Sequence, residues 1–303
     1  MIPVPSGVLD FAGRGPQWAA WVDRLPKLAA TLLEEWELAT DGEAMSGWTA
    51  LVLPVRTRDG EPAVLKLVCP GEEEEHEHLA LQRWGGNGAV RLLRADPARR
   101  ALLLERLHQR DLMELWDLEA CEIVAGLYSR IHVPAPPQLR TQTSYVEKWT
   151  DDLARLPRSA PVPHRLVEQA LALGRDFVTD DASAGTMIHG DLHYENVLSS
   201  DREPWLVIDP KPTSGDPHYE VAPLLWNRWE ELLAPTGGQS IRGGVRRRFH
   251  TVVDAAGLDE DRARDWVIVR MVHNAMWEIE DHPETPDAAY LTRCVAIAKA
   301  VQE

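Results

Sequence analysis

Three cysteines in 303 residues, Cys69, Cys121 and Cys294, are too few and too far apart for a disulfide framework. None forms a CxxC pair, which argues against a thiolate zinc site, and all three read as small buried hydrophobes. No apolar run approaches the roughly 20 residues that span a bilayer. The first residues carry neither the basic region nor the apolar stretch of a secretory signal, so the expected compartment is the cytoplasm, with no membrane partner. Lysine is scarce, five of the 32 basic residues. Positive charge clusters only at Arg246, Arg247 and Arg248, against a net charge of −16. Nucleic acid is therefore not an expected partner, because such a binder needs cations to neutralise phosphates. An acidic field suits cationic small molecules, although solubility alone accounts for it equally well. Glycine signatures are missing too: there is neither a G-x-G-x-x-G loop nor a Walker A sequence.

What remains is an ordinary globular composition, 44% hydrophobic and 26% charged, long enough for one large domain or two lobes. The first third reads as strands. Residues 48–56 and 62–69 are rich in β-formers and are separated by Asp59-Gly60, a hairpin signal. An acidic stretch at 72–75 opens a predicted helix that runs to about residue 84, its acids suiting the positive helix N-terminus. Two more strands are expected at 90–95 and 101–107. Helical periodicity then dominates, at 111–132, 142–156, 163–180, 217–234, 241–256, 259–281 and 285–302, with a β-like interruption between 186 and 208. The expected division is an N-terminal lobe of residues 1–105 and a helical C-terminal lobe of residues 106–303.

Residues 189–196 read His-Gly-Asp-Leu-His-Tyr-Glu-Asn, and thirteen positions later an apolar run ends in Asp209. Phosphoryl transfer asks for such a set. A carboxylate must orient the attacking hydroxyl, and hard oxygens must hold Mg²⁺ near the phosphates. Asp191, Asn196 and Asp209 supply these groups. His189 and His193, four apart, do not make a zinc pair, since Gly190 interrupts the helix on which zinc hydrolases carry theirs.

HGDLHYENVL with its downstream IDP resembles the catalytic and metal-binding loops of aminoglycoside phosphotransferases, and Gly215-Asp216-Pro217 fits the same pattern. The resemblance implies an α+β, two-lobed protein-kinase-like fold, with a small antiparallel-sheet N-terminal lobe and a larger, mainly helical C-terminal lobe. It makes Asp191 the catalytic base, and Asn196 and Asp209 the Mg²⁺ ligands, with ATP as phosphoryl donor. Lys66, mid-strand in an apolar run, then holds the α- and β-phosphates and pairs with a helix glutamate. Glu77 is the choice, because Glu77, Leu81 and Trp84 fall on one apolar stripe; Glu73 is the alternative. Ser46 and Gly47 are the candidate phosphate-covering loop. Backbone groups around Glu105 and Leu107 are the candidate adenine hinge.

Residues 202–228 and 272–281 are similar to the branch of this family that holds streptomycin 6-kinases and aminoglycoside/hydroxyurea phosphotransferases. Glu220 departs from it, standing where aspartate is more usual, and Lys211 directly follows the IDP element. Streptomycin carries two guanidinium groups, which carboxylates meet best in two-pronged pairs. Asn274, Glu278 and Asp281 recur at helical spacing with Trp277 beside them, while Glu230 and Glu231 follow Trp226 and Trp229. These are the candidate substrate contacts, although a solvated helix face over core tryptophans would look the same. The resulting expectation is a monomeric, ATP-dependent kinase of a cationic aminoglycoside. A kinase of a metabolic amino sugar or other small alcohol is the first alternative, and a non-catalytic pseudokinase the second.

Overall fold

The computed structural model describes residues 4–71, 75–233 and 240–302. The chain forms two compact units, Met1–Gln109 with Ser199–Lys211, and Arg110–Leu198 with Pro212–Glu303. The division is therefore not the contiguous one expected at 105/106. Residues 199–211 join the first unit because Val207 exchanges backbone hydrogen bonds with Gly88 and Val90, at 3.0 and 2.9 Å. Arg202 adds bonds to Glu105 and to the carbonyls of Gly86 and Ala89. Pairing over such sequence distances leaves no periodic trace.

In the first unit six antiparallel strands form one sheet: β1 (Ala39–Thr40), β2 (Met45–Ser46), β3 (Ala50–Arg56), β4 (Pro62–Val68), β5 (Leu92–Asp96) and β6 (Ala101–Glu105). Their order is β1-β3-β4-β6-β5, with β2 also paired to β3. Gly60, at φ +84°, closes the β3–β4 hairpin as the Asp-Gly pair predicts. Two helices were not expected in this strand-like third: α1 (Ser6–Leu9) and α2 (Pro16–Glu35). Trp21, Leu25, Ala29 and Leu32 are the buried stripe of α2, and Pro26 inside it masks the pattern, since proline ordinarily breaks a helix. The stripe packs on Leu51, Leu53, Val55, Ala63, Leu65 and Leu67. Side chains alternate across a strand, so Lys66 projects from the opposite face of β4. Residues 75 and 76 form a turn before α3 (Glu77–Trp84), which stops at Gly85 in the left-handed region, φ +58°. Glu73 lies outside the described residues.

The second unit contains α4 (Asp117–Ile131), α5 (Gln142–Ala154), α6 (His164–Thr179), α7 (Ala222–Trp226), α8 (Trp229–Leu233), α9 (Ile241–Ala256), α10 (Glu260–Asp281) and α11 (Ala288–Ala300). A small antiparallel sheet joins Thr213–Gly215, Thr186–Ile188 and Val133–Pro134. Apolar residues of α10 from Ala263 to Met276 are buried, and Trp266 stacks on Phe177 of α6 with centroids 3.8 Å apart. The helix expected at 217–234 is instead a 3₁₀ turn, Pro217–Val221, followed by α7 and α8. Pro217 and Pro223 suit helix starts, and Arg228, at φ +55°, breaks the path between α7 and α8. Likewise α4 begins at 117, because Asp111 caps a separate 3₁₀ turn, Leu112–Glu114, at the Met113 amide (2.8 Å). Among the described residues no helix is long and apolar enough to cross a membrane.

Candidate functional site

The alternation that sends Leu65 and Leu67 into the α2 interface leaves Lys66 facing α3. Its Nζ donates to both oxygens of Glu77, at 2.7 and 2.8 Å, and to Oδ1 of Asp209. Glu77 lies on the buried stripe with Leu81 and Trp84, so its helix phase aims the carboxylate at the strand. Lys211 approaches the other Asp209 oxygen at 3.3 Å. Two ammoniums and two carboxylates thus alternate in a largely buried cluster. Burial alone would strip the proton from Lys66, but the charges of Asp209 and Glu77 outweigh it and hold its pKa above the ordinary lysine value. Burial also pushes the Asp209 carboxyl up, yet Lys66 and Lys211 prevail and hold it well below the usual carboxylate range. For Glu77 burial wins over Lys66, and its pKa is raised. Asp209 adopts φ +55°, a left-handed conformation that aspartate tolerates better than most residues.

The remaining first-unit candidates are placed less openly than expected. Ser46 pairs with Leu51 across the β2–β3 hairpin, and the Gly47 amide donates to the Ala50 carbonyl at 2.8 Å. That amide is committed to the turn and has no second proton for a phosphate. Trp48 stands at the tip, 81% exposed. At the expected hinge, the Glu105 amide donates to the Arg91 carbonyl at 3.0 Å, and its carboxylate grips Arg202. Leu107 follows β6, two residues beyond its end.

In the second unit the loop after strand Thr186–Ile188 carries Asp191 and Asn196. Gly190 adopts φ +84°, which a residue with a Cβ rarely takes, and this turn brings Asp191 out of the strand direction. The loop is pinned from below. Leu192 and Tyr194 are fully buried, and the Tyr194 hydroxyl donates to the Leu224 carbonyl at 3.0 Å. Asn196 Nδ2 donates to the Asp191 carbonyl at 2.8 Å, which leaves the Asn196 side-chain oxygen as the acceptor end. The Gly190 amide donates to Glu220 Oε1 at 2.6 Å, and Glu220 Oε2 lies 2.7 Å from His132 Nε2. The Tyr128 hydroxyl donates to the Glu220 carbonyl at 2.9 Å. Glu220 is thus a brace under the loop rather than part of a pocket wall. His132 gave no signal in the sequence.

The candidate substrate residues on α10 do not share one environment. Asn274 is buried, and Asp281 is exposed at the helix end. Glu278 accepts from the Asp287 amide at 2.7 Å and sits 3.1 Å from His282 Nδ1, so it fastens the start of α11. Trp277 packs edge-on to Trp149 with centroids 4.9 Å apart. Arg270 places its guanidinium over Trp277, Trp226 and Tyr219, at 5.7, 5.5 and 4.6 Å. These aromatic faces already hold a guanidinium of the chain itself. Glu230 is exposed, and Glu231 pairs with Arg228 at 2.7 Å. The i, i+4, i+7 spacing was sound, but burial along α10 changes too quickly for those residues to share one environment.

Residues 35–282 match the profile of the aminoglycoside/hydroxyurea antibiotic resistance kinases. The chain is 38% identical over 301 residues to a streptomycin 6-kinase of Streptomyces glaucescens, covering 98% of this chain and 96% of that protein. It is 37% identical over 313 residues to a hydroxyurea phosphotransferase of Kitasatospora aureofaciens, covering 99% and 86%. An aminoglycoside phosphotransferase solved with ADP and hygromycin B superposes with a TM-score of 0.59 at 17% identity, over 89% of this chain and 97% of that one. That likeness establishes the protein-kinase-like α+β fold. With a family profile spanning most of its length and relatives matched nearly end to end, the chain belongs to the aminoglycoside/hydroxyurea antibiotic resistance kinase family.

Proposed function

We propose that this kinase transfers the γ-phosphoryl group of ATP to a hydroxyl of streptomycin or a closely similar aminocyclitol glycoside, inactivating it. The observation that carries the reading is the Lys66–Glu77–Asp209 cluster, which keeps an ammonium and a carboxylate charged in a largely buried setting. It stands in a chain 38% identical along 98% of its length to a streptomycin 6-kinase. In this reading Lys66 holds the α- and β-phosphates, and Asp191 orients the acceptor hydroxyl and takes its proton as the oxygen attacks phosphorus. ADP leaves as the P–O bond to the transferred group breaks. The Glu105 carbonyl and the Leu107 amide are the adenine contacts of this reading. We assign Ser46 to the phosphate-covering hairpin, with Gly47 shaping its turn.

Mg²⁺ fits the donor set residue by residue. Asp209 is held ionised, and Asn196 keeps its side-chain oxygen as an acceptor. Magnesium ordinarily takes one or two protein oxygens and fills its shell with phosphate and water, so no larger protein cage is needed. When bound, it would neutralise charge on the phosphate oxygens. The protein acts in this reading as a cytoplasmic monomer, and its acidic surface favours capture of a cationic substrate.

Coupled ADP release with Mg-ATP, run over streptomycin, kanamycin, neutral and amino sugars, and hydroxyurea, tests the assignment. Streptomycin should be turned over with the highest kcat/KM. Kanamycin should be poor, because its ammoniums are point charges and do not reproduce the planar two-pronged geometry of streptomycin's guanidiniums. Streptomycin left unmodified while a neutral sugar is phosphorylated would sink the antibiotic reading. The 37% identity to a hydroxyurea phosphotransferase supports hydroxyurea as a second acceptor, and the same panel decides it.

A further inference from the structure

Beyond the paired residues Leu92 and Leu104, the next rung between the β5 and β6 segments is half made by a side chain. The Glu105 amide, at the end of β6, donates to the Arg91 carbonyl at 3.0 Å. In a regular antiparallel sheet two residues so joined exchange both bonds, and the Arg91 amide would donate back to the Glu105 carbonyl. It donates instead to Oε1 of the Glu105 side chain, at 2.8 Å. The carboxylate thus takes the place of its own residue's carbonyl, which is left without the bond this pairing would give it. That carbonyl also faces away from β4. The amide and carbonyl of one strand residue point to the same side, and the amide points to Arg91.

Arg202 holds the carboxylate in that position. Its Nε lies 3.1 Å from both Glu105 oxygens, and its Nη2 lies 2.6 Å from Oε1. The guanidinium also donates to the carbonyls of Gly86 and Ala89, at 2.8 and 2.6 Å, and to Glu203 at 2.6 Å. The pair is largely buried, with 19% of the Arg202 side chain and 18% of the Glu105 side chain exposed. A planar fork engaged on both edges fixes its partner in direction as well as in distance. Joining the two strands needs no such device, since the main-chain bond alone would do it. What the device adds is a spare acceptor at the end of β6.

We propose that the Arg202–Glu105 pair sets the base specificity of the kinase: by occupying the Arg91 amide, it reserves the Glu105 carbonyl for the 6-amino group of adenine. The two side chains are positioning residues, and the carbonyl is the group that meets the base. The proposal rests on the adenine contacts assigned above to Glu105 and Leu107. A 6-amino purine brings that carbonyl a donor, whereas a 6-oxo purine sets a second acceptor against it.

Calorimetry with ADP and with inosine diphosphate, each with Mg²⁺, tests this without an acceptor substrate. The wild type should bind ADP at least about 10-fold more tightly than inosine diphosphate. In Glu105→Ala the Arg91 amide returns to the main-chain carbonyl, and the ratio of the two Kd values should fall by about 10-fold. Glu105→Gln keeps an acceptor for that amide and should hold the ratio within roughly 2-fold. Arg202→Gln leaves the carboxylate unanchored and should lower the ratio by about 3-fold or more, which decides the matter if Glu105→Ala does not fold. A general loss of packing weakens both nucleotides alike and leaves the ratio where it was. Equal binding of the two nucleotides by the wild type overturns the adenine contacts and the proposal with them. A wild-type preference that survives in Glu105→Ala and Arg202→Gln overturns the proposal alone.

Discussion

The amide of Gly190 donates to Oε1 of Glu220 at 2.6 Å across thirty residues of sequence. One carboxylate thereby fixes the backbone immediately before Asp191, and its second oxygen is taken by His132 at 2.7 Å. The Glu220 side chain has no exposure, so neither bond has water as a substitute. Asp191 receives its direction from this turn.

Removing the brace should therefore reach catalysis through geometry. Glu220→Ala orphans a buried amide and a histidine nitrogen, and should lower stability by about 1–3 kcal/mol. It should cut kcat by roughly 10-fold or more, because small misplacements of a reacting group are costly. KM for ATP should hardly change. Glu220→Gln keeps an acceptor for Gly190 and should recover most of the rate. Steady-state kinetics beside urea unfolding separates the two effects; Glu220→Ala with normal kcat would remove Glu220 from positioning Asp191.

Lys66 stands between two carboxylates, so its loss takes from buried Glu77 its hydrogen-bonded cation and leaves Asp209 with Lys211 alone. Lys66→Ala should destabilise the nucleotide-free protein by about 3–5 kcal/mol, the usual scale for removing one partner of a buried pair. It should also raise KM for ATP by about 10-fold or more, if each lost charge-assisted hydrogen bond follows its ordinary magnitude. A double-mutant cycle with Glu77→Ala should return a coupling of about 0.5–3 kcal/mol. Additive losses would mean that the 2.7 Å contact contributes nothing in solution.

Asp191→Asn preserves shape and removes the proton acceptor. A loss of about 10²-fold or more in kcat is expected if the carboxylate acts as general base. Nucleotide affinity, read by calorimetry with ADP, should stay within a factor of two or so, about 0.4 kcal/mol. Turnover near normal would take Asp191 out of the mechanism.

The legible parts of this sequence were those in which local pattern and chemistry coincide. Lys66 in an apolar strand, with Glu77 on the helix stripe that follows, marked an ion pair before any fold was known. The HGDLHYEN run marked its loop through residue types alone. Glu220 was visible only as a departure, because what it braces is a backbone amide thirty residues away. His132 gave no signal, since one histidine at a helix end has no partner in linear sequence. The α2 helix was hidden by Pro26 and by the strand-like residues that follow it. On α10, spacing put Asn274 and Glu278 on one stripe but could not reveal that Asn274 is buried while Glu278 serves the start of α11.

His273 contributes to the fold's loss of stability in acid. It lies in α10 with 1% of its surface exposed, edge-on to Trp149 at 5.7 Å. Burial, reinforced by the positive charge of Arg270, lowers its pKa to about 3 from the ordinary 6.5, and Asp152 opposes the shift only in part. The folded protein thus keeps this imidazole neutral where the unfolded chain would protonate it. Stability from this group is fully present above pH 6.5 and declines as the pH falls, until protonation of the folded form near pH 3 ends the loss. At about 1.4 kcal/mol per pH unit, its share of the decline between pH 7 and pH 5 is roughly 2 kcal/mol. His273→Gln removes the titration while keeping a polar side chain of similar reach. Urea unfolding at pH 7 and pH 5 should show the wild type losing about 2 kcal/mol more than the variant over that interval. Equal losses would mean that His273 takes up its proton in the folded state too, which its burial against Trp149 and Arg270 opposes.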